Sequence, residues 1–384
     1  MDTKNITEKE FEAAVEGLLI SKGGYKSAQP ADYNKKKALF FDTLINFIQT
    51  TQEQQWNSFV KAYGSRAEQE FFSIFDKATR EKGILHVLKN GIRSIDANFK
   101  VCFFKVHNPH NTTADERYKL NQWHVVRQFA YSEHNHKTVD VVLTLNGIPL
   151  IAIELKNHST GQTIENAINQ WKEDRDCNET VFQFNRRILA FFAVDPCEAA
   201  ITTKLEGANT FFIPYNQGSN GAGAVGGKGN PQAPDDKFMV HYLWEEVLQT
   251  DKLLEIIDNY VTLETTGTKS DKASKSSSSK MNKLANKRLI FPRYHQLDVV
   301  RKLLSHSEEH GAGHNYLIMH SAGSGKSNSI AWLAHQLTRV FDKKGEPLFN
   351  NILVVTDRRV LNNQLGATVN KQSDVRGVVS LINQ

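Results

Sequence analysis

Three charged side chains set into an otherwise apolar stretch raise the first chemical possibility. In "TVDVVLTLNGIPLIAIELKN", residues 138–157, Asp140, Glu154 and Lys156 stand at the far ends of two apolar runs separated by Asn146-Gly147. Carboxylates that end buried strands need partners, because burying them unpaired is costly. Two carboxylates beside a lysine can satisfy one another as a structural ion pair. They can equally hold a hard divalent cation such as Mg2+ through oxygen ligands, with the lysine near a water that attacks a phosphodiester. The second possibility lies in "YLIMHSAGSGKSNSIAWLAHQL", residues 316–337, where Gly323, Ser324, Gly325, Lys326 and Ser327 join an apolar run to a helical pattern. There Gly323 and Gly325 let backbone amides approach phosphates and Lys326 reaches the β- and γ-phosphates of ATP. Ser327 can ligate Mg2+, and the helix N-terminus favours the anion. His320 occupies the place of the first glycine of the general pattern, but a mere turn between strand and helix would explain neither the lysine nor the serine after it.

Both sets of residues need elements to position them. Asn146-Gly147 between β-branched and apolar runs is a hairpin signal. Glu154 and Lys156, two apart, project from one face of their strand. Register decides whether Asp140 joins them. A two-residue loop sets Asp140 opposite Ile153 and away from Glu154, whereas a three-residue loop of Asn146, Gly147 and Ile148 sets it opposite Glu154. Ahead of the hairpin, 9–21 is a helix with Phe11, Val15, Leu18 and Leu19 on one stripe, and further helices are expected near 37–61 and 65–88. Strand periodicity begins near 98 with "FKVCFFKV" and "QWHVVRQFAY" and resumes in "RRILAFFAVD" and "NTFFIPY", interrupted by a helix over 163–176. A glycine-rich stretch at 216–236 reads as a flexible insertion, followed by a short strand and a helix over 238–261. In the second part "YLIMH" is expected to be a buried parallel strand. The helix over 326–341 presents Ile330, Leu333, Ala334, Leu337, Val340 and Phe341 as its apolar face. The whole is α/β: a mixed-sheet domain over 1–262, a Ser/Lys-rich linker over 263–284, and a partial domain with parallel strands over 285–384.

The hairpin resembles that of the PD-(D/E)xK nucleases. Together with "AINQWKED" it is similar to the restriction subunit of type I restriction-modification enzymes, whose nuclease domain belongs with the RecB-like group. The resemblance implies that Asp140 and Glu154 bind Mg2+, that Lys156 assists the attack, and that Glu12 on the first helix completes the site. The family carries a Gln-x-x-x-Tyr motif on its next helix. Here Gln170 matches, while Asp174 stands where the tyrosine would be. "FPRYHQLDVVRKLL" resembles the Q motif of superfamily-2 helicases, which implies that Gln296 reads the adenine of ATP. "NNILVVTDRRVLNNQL" resembles their next motif, ending in Thr356-Asp357-Arg358-Arg359. The second part therefore resembles the start of a RecA-like motor. The resemblance implies double-stranded DNA as substrate and, as partners, the methyltransferase and specificity subunits.

Composition permits this without requiring it. A chain of 384 residues with 40% hydrophobic and 23% charged content is long enough for two cores, and its net charge of +5 suits a nucleic-acid partner. No apolar stretch approaches a membrane span and the N-terminus carries no signal-peptide core, so a cytoplasmic protein is expected. Cys102, Cys177 and Cys197 form no close pair, and the pairs His107/His110 and His134/His136 lack further ligands at metal spacing. No Asp-Glu-x-x follows Lys326, so the chain reads as the front of a longer polypeptide, a fragment or a truncated product, with ATP turnover incomplete. The expected function is Mg-dependent cleavage of double-stranded DNA coupled to ATP-driven translocation. The alternatives are a non-catalytic module that binds DNA or the methyltransferase core, and an unrelated phosphate-loop ATPase with a structural N-terminal domain.

Overall fold

The structure, a computed structural model, describes residues 6–95, 97–106, 112–158, 161–265, 287–342 and 345–355. Most of the expected linker, the run Thr356-Asp357-Arg358-Arg359 and the pair His107/His110 lie outside these residues. The chain opens with helix α1 (Glu8–Ser21), whose N-cap Thr7 and third-position Glu10 bond each other's backbone amides in a capping box. Phe11, Val15 and Leu19 of its expected stripe are fully buried. A short strand β1 (Lys26–Ser27) leads to helices α2 (Phe41–Thr51), α3 (Glu53–Tyr63), α4 (Ala67–Lys82) and α5 (Ile84–Asn90). Strands β2 (Ile92–Arg93) and β3 (Asn98–Phe99) pair only with each other, so the expected strand through 106 is reduced to its first residues. After α6 (Thr112–Lys119) come the long strands β4 (Trp123–Ala130), β5 (Thr138–Leu145) and β6 (Ile148–Leu155). Then follow α7 (Ile164–Asn169), β7 (Ala190–Val194), β8 (Ala199–Thr202) and β9 (Ile213–Pro214).

These strands make one seven-stranded mixed sheet in the order β1-β4-β5-β6-β7-β8-β9. The pairs β1–β4 and β6–β7 are parallel and the others antiparallel. The β6–β7 crossover carries α7, as parallel neighbours require. Both faces of the sheet are covered, so β6 is buried along its whole length. One face packs against Phe11 and Val15 of α1, Leu44 and Ile48 of α2 and the helices that follow, in the larger core. The other packs against Tyr33, Phe40, Trp171 and Phe182.

The segment after the sheet holds no strand at its start. A π-helical turn (Leu243–Val247) stands where the short strand was expected, and the expected helix is α8 (Thr250–Asn259). Strand β10 (Thr262–Thr265) pairs antiparallel with β11 (Lys287–Ile290), and helices α9 (Tyr294–His310) and α10 (Lys326–Leu337) follow. Leu289, Phe291, Tyr294, Leu297, Val300 and Trp332 share the larger core with the sheet. The expected parallel strand at 316–320 is not formed: Leu317 is 96% and Met319 84% exposed. A parallel strand needs a ladder partner for its backbone groups, and no strand pairs with this run among the described residues. Helix α10 ends at Leu337, short of the expected 341, and turns inward a face that only partly matches the expected one. Of the expected face Ala334 and Val340 are buried and Leu333 packs on the core, whereas Ile330 and Phe341 are exposed. Ala331 and Trp332 are buried in addition, because Trp332 packs against Tyr260 at a centroid distance of 5.5 Å.

Candidate active site

Asn146 and Gly147 both lie in the left-handed region, at φ 51° and 81°, and Leu145 pairs with Ile148. The turn is therefore a two-residue one, contrary to the three-residue loop that would bring the carboxylates together. The register nevertheless changes along the ladder. Thr144 pairs with Pro149, but Leu143 pairs with Ile151, leaving Leu150 as a bulge. Leu150 and Ile151 both enter the larger core, as two residues opposite one must. From there the ladder runs to Val141 and Ile153, so the next residues, Asp140 and Glu154, face each other across the strand ends. The bulge does what the longer loop was expected to do. Gly147 is required at the turn, because a Cβ there would lie 2.3 Å from the Phe40 carbonyl oxygen.

The two carboxyl groups are buried differently. Asp140 Oδ2 accepts the Leu155 N–H at 2.7 Å. Glu154 is fully buried, and its Oε1 accepts from Arg175 Nε at 2.7 Å and lies 2.6 Å from Nη2 in an ion pair. Its Oε2 accepts from no donor group among the described residues, and the Glu154 and Asp140 carboxyl groups lie close enough to share a proton. Burial raises Glu154 well above the ordinary carboxylate range, the Asp140 charge adds to the rise, and Arg175 opposes it. Burial likewise raises Asp140, opposed first by the Leu155 amide and then by Lys156. Two adjacent buried carboxylates that resist ionisation, one with an orphaned oxygen, are a donor set that a hard divalent cation would satisfy. Asp140 and Glu154 fit Mg2+ in that sense. Among the described residues no group of three or more His, Cys, Asp or Glu is placed to hold a metal, so remaining ligands would be water or substrate oxygens.

The other expected members are placed unequally. Lys156 is buried and its Nζ donates to Glu8 Oε1 at 2.8 Å, which draws it towards α1. Glu12 lies beside the hairpin, and its charge reaches Asp140. Its carboxylate is nevertheless engaged, accepting from Arg127 Nε at 2.8 Å and Gln128 Nε2 at 2.9 Å. Gln170 opens a π-helical turn (Gln170–Asp174) and is half-buried, while Asp174, at the family's tyrosine position, pairs with Lys137 at 2.8 Å. The expected continuous helix over 163–176 is α7 followed by this wider turn. Arg175 and Glu8 were not singled out by sequence reasoning. Glu8 sits one helical turn before Glu12, a spacing that could have marked it, whereas Arg175 reaches Glu154 only because the π turn resets its direction.

The phosphate loop has its expected backbone. Gly323 and Gly325 have φ of 73° and 83°, and Gly325 caps α10. Lys326 and Ser327 are exposed, and Lys326 Nζ donates to the carbonyls of His320 and Ser321 at 3.0 and 2.9 Å. Gln296 Nε2 donates to the Gly325 carbonyl at 2.9 Å. A cavity of about 520 Å³ lies here, lined by Gln296, Gly323, Ser324 and Gly325 together with Thr203 and Lys204 from beyond β8. The glycine backbone and the free helix N-terminus fit a nucleotide phosphate.

Residues 5–210, more than half of the chain, match the family described as type I restriction enzyme R protein N terminus. The chain belongs to this family. Residues 295–380 match the SWI2/SNF2 ATPase family. The chain is also 22% identical over 340 residues to a putative type I restriction enzyme MjaVIIIP endonuclease subunit of Methanocaldococcus jannaschii. That match covers 85% of this chain and 28% of the relative, so the chain spans less than a third of that protein's length. It is the N-terminal region of an R subunit carrying a helicase-like ATPase segment, and among the described residues no helix is long and apolar enough to cross a membrane.

Proposed function

We propose that this region hydrolyses phosphodiester bonds of double-stranded DNA at Asp140, Glu154 and Lys156. The orphaned Oε2 of a fully buried Glu154 beside Asp140 carries the reading. An ion pair selected only for stability would have donors on both oxygens, since a buried acceptor left without one costs about 1–3 kcal/mol. Bound Mg2+ would supply Lewis-acid stabilisation of the phosphate and a water of lowered pKa. Asp140, fixed by the Leu155 amide, and Glu154, fixed by Arg175, hold their oxygens in place for the cation. Lys156 donates hydrogen bonds to the attacking water and offsets charge gathering on the phosphate as the P–O bond breaks. Glu8 holds the lysine in that position, and Glu12 orders Arg127 and Gln128 beside Asp140. Gln170 is a candidate DNA contact.

The loop around Lys326 is proposed to bind ATP with Mg2+ at Ser327 and adenine at Gln296, serving translocation in the complete protein. In the proposed assembly the partners are methyltransferase and specificity subunits acting on cytoplasmic DNA. Nicking of supercoiled plasmid in Mg2+ by this chain, lost in Asp140→Asn, tests the nuclease reading. Absence of both nicking and Mn2+ binding in the wild-type chain would reject it.

A further inference from the structure

We propose that Arg175 is a positioning residue of the metal site, clamping one oxygen of Glu154 so that the other is left for the cation. The inference rests on the nuclease reading above and concerns a residue that reading does not require. The β5–β6 ladder ends at Val141 and Ile153, so the two carboxylate-bearing residues lie just beyond the paired register. Arg175 ties together what the ladder leaves loose. Its Nη2 donates to the Thr138 carbonyl at the start of β5 at 2.6 Å and lies in ion-pair contact with Glu154 Oε1 on β6, also at 2.6 Å. Its Nε donates the hydrogen bond to the same Oε1 at 2.7 Å.

The geometry is not the fork that a guanidinium ordinarily makes with a carboxylate, in which two nitrogens address two oxygens. Both nitrogens converge on Oε1, and buried Oε2 is left with no donor group, only the neighbouring Asp140 carboxyl with which a proton, or a cation in its place, can be shared. The clamp is itself rigid. Trp171 is fully buried and its Nε1 donates to the Phe192 carbonyl at 2.9 Å, fixing the π turn to β7. Arg175 follows that turn, and its guanidinium lies 5.8 Å from the Tyr131 ring centroid. The side chain is 3% exposed, so its direction is set by packing and water does not compete for it. A partner that orients a ligand in this way acts through the ligand, and removing such partners typically weakens metal binding about 10- to 100-fold.

Mn2+ titration by calorimetry, on the whole 384-residue chain at a temperature where each variant is folded by circular dichroism, tests the inference without relying on cleavage. Arg175→Met is expected to weaken Mn2+ binding at least about tenfold, with Arg175→Lys recovering part of the loss. In Glu154→Gln the further change Arg175→Met should have little additional effect, because the arginine acts through that carboxylate. Unchanged or tighter Mn2+ binding in folded Arg175→Met would overturn the inference and leave the nuclease reading intact. So would a full additive loss in the double variant. Failure of the wild-type chain to bind Mn2+ at all would remove the nuclease reading and this inference with it.

Discussion

The carboxylate hairpin lies in a sheet with paired strands on either side, whereas the phosphate loop follows a run, 316–319, that has no strand paired with it among the described residues. In the hairpin every backbone direction is constrained by two neighbours, so a single bulge at Leu150 re-aims a side chain and the change is held. At the phosphate loop the glycine backbone and helix start are formed locally, yet Lys326 is folded onto the carbonyls of its own loop. The comparison separates chemistry that depends on a closed sheet from chemistry that depends on a short sequence. A metal site needs two strand ends in one register, whereas a phosphate cradle needs only a few residues of permissive backbone.

The largest expected effects are at the hairpin. Glu154→Gln and Asp140→Asn should lower metal-dependent cleavage by at least about a hundredfold, exceeding the usual cost of losing an outer partner. Plasmid nicking measures it, and full activity in either variant would break the assignment. Glu154→Ala is a different experiment. It strands the buried Arg175 charge, and breaking a buried pair costs about 3–5 kcal/mol, which denaturant unfolding would record. The Arg175 contact thus gives Glu154 a part in stability as well as in the candidate site.

Two glycines sharpen the contrast. Gly147→Ala should destabilise the sheet by about 1–2 kcal/mol from its left-handed backbone alone, and further because the new Cβ meets the Phe40 backbone. Gly325→Ala is also left-handed, but its Cβ meets the far end of Gln296, a flexible side chain. It should weaken nucleotide binding while leaving the melting of the sheet core nearly unchanged. Equal losses of stability at the two positions would erase the distinction.

A smaller effect follows from pH. Asp140 and Glu154 are both raised, so the folded chain binds their protons more tightly than the unfolded chain. Without metal, stability from this pair is present near the unfolded carboxylate range, about pH 4. It is lost as pH rises through the folded values. Mg2+ neutralises the pair, so the gain in thermal midpoint on adding Mg2+ should grow with pH. A gain that shrinks with rising pH would contradict the site. The smallest effect on the fold is expected from Lys326→Ala, which should abolish binding of a fluorescent ATP analogue and leave the thermal midpoint unchanged. Steady-state ATP hydrolysis by the 384-residue chain should be negligible.

Much of the candidate site's geometry could be read before the structure. Asn146-Gly147 announced the hairpin because a two-residue left-handed turn strongly favours these residue types. Asp140, Glu154 and Lys156 stood out as charges closing apolar strands. Leu150 carried no mark of a bulge, since an apolar residue is acceptable in either register. Arg175 carried none either, because helical spacing assumes an α turn and the chain makes a π turn after Asn169. Trp332 was passed over at α10 because its burial depends on Tyr260, far away in sequence.

What the sequence determined by itself was local: the turn at Asn146-Gly147, the stripe of α1 and the glycine backbone before Lys326. Each follows from allowed dihedral angles or from a period along one segment. Only the tertiary structure decided which carboxylate oxygen is left free, that Glu8 and not Glu12 holds Lys156, and that Arg175 closes the strand ends. Those outcomes depend on separations of 15 to 148 residues closing to hydrogen-bond distance. The free energy that selects them comes from burying charged groups with partners supplied by different elements, which no single segment can specify.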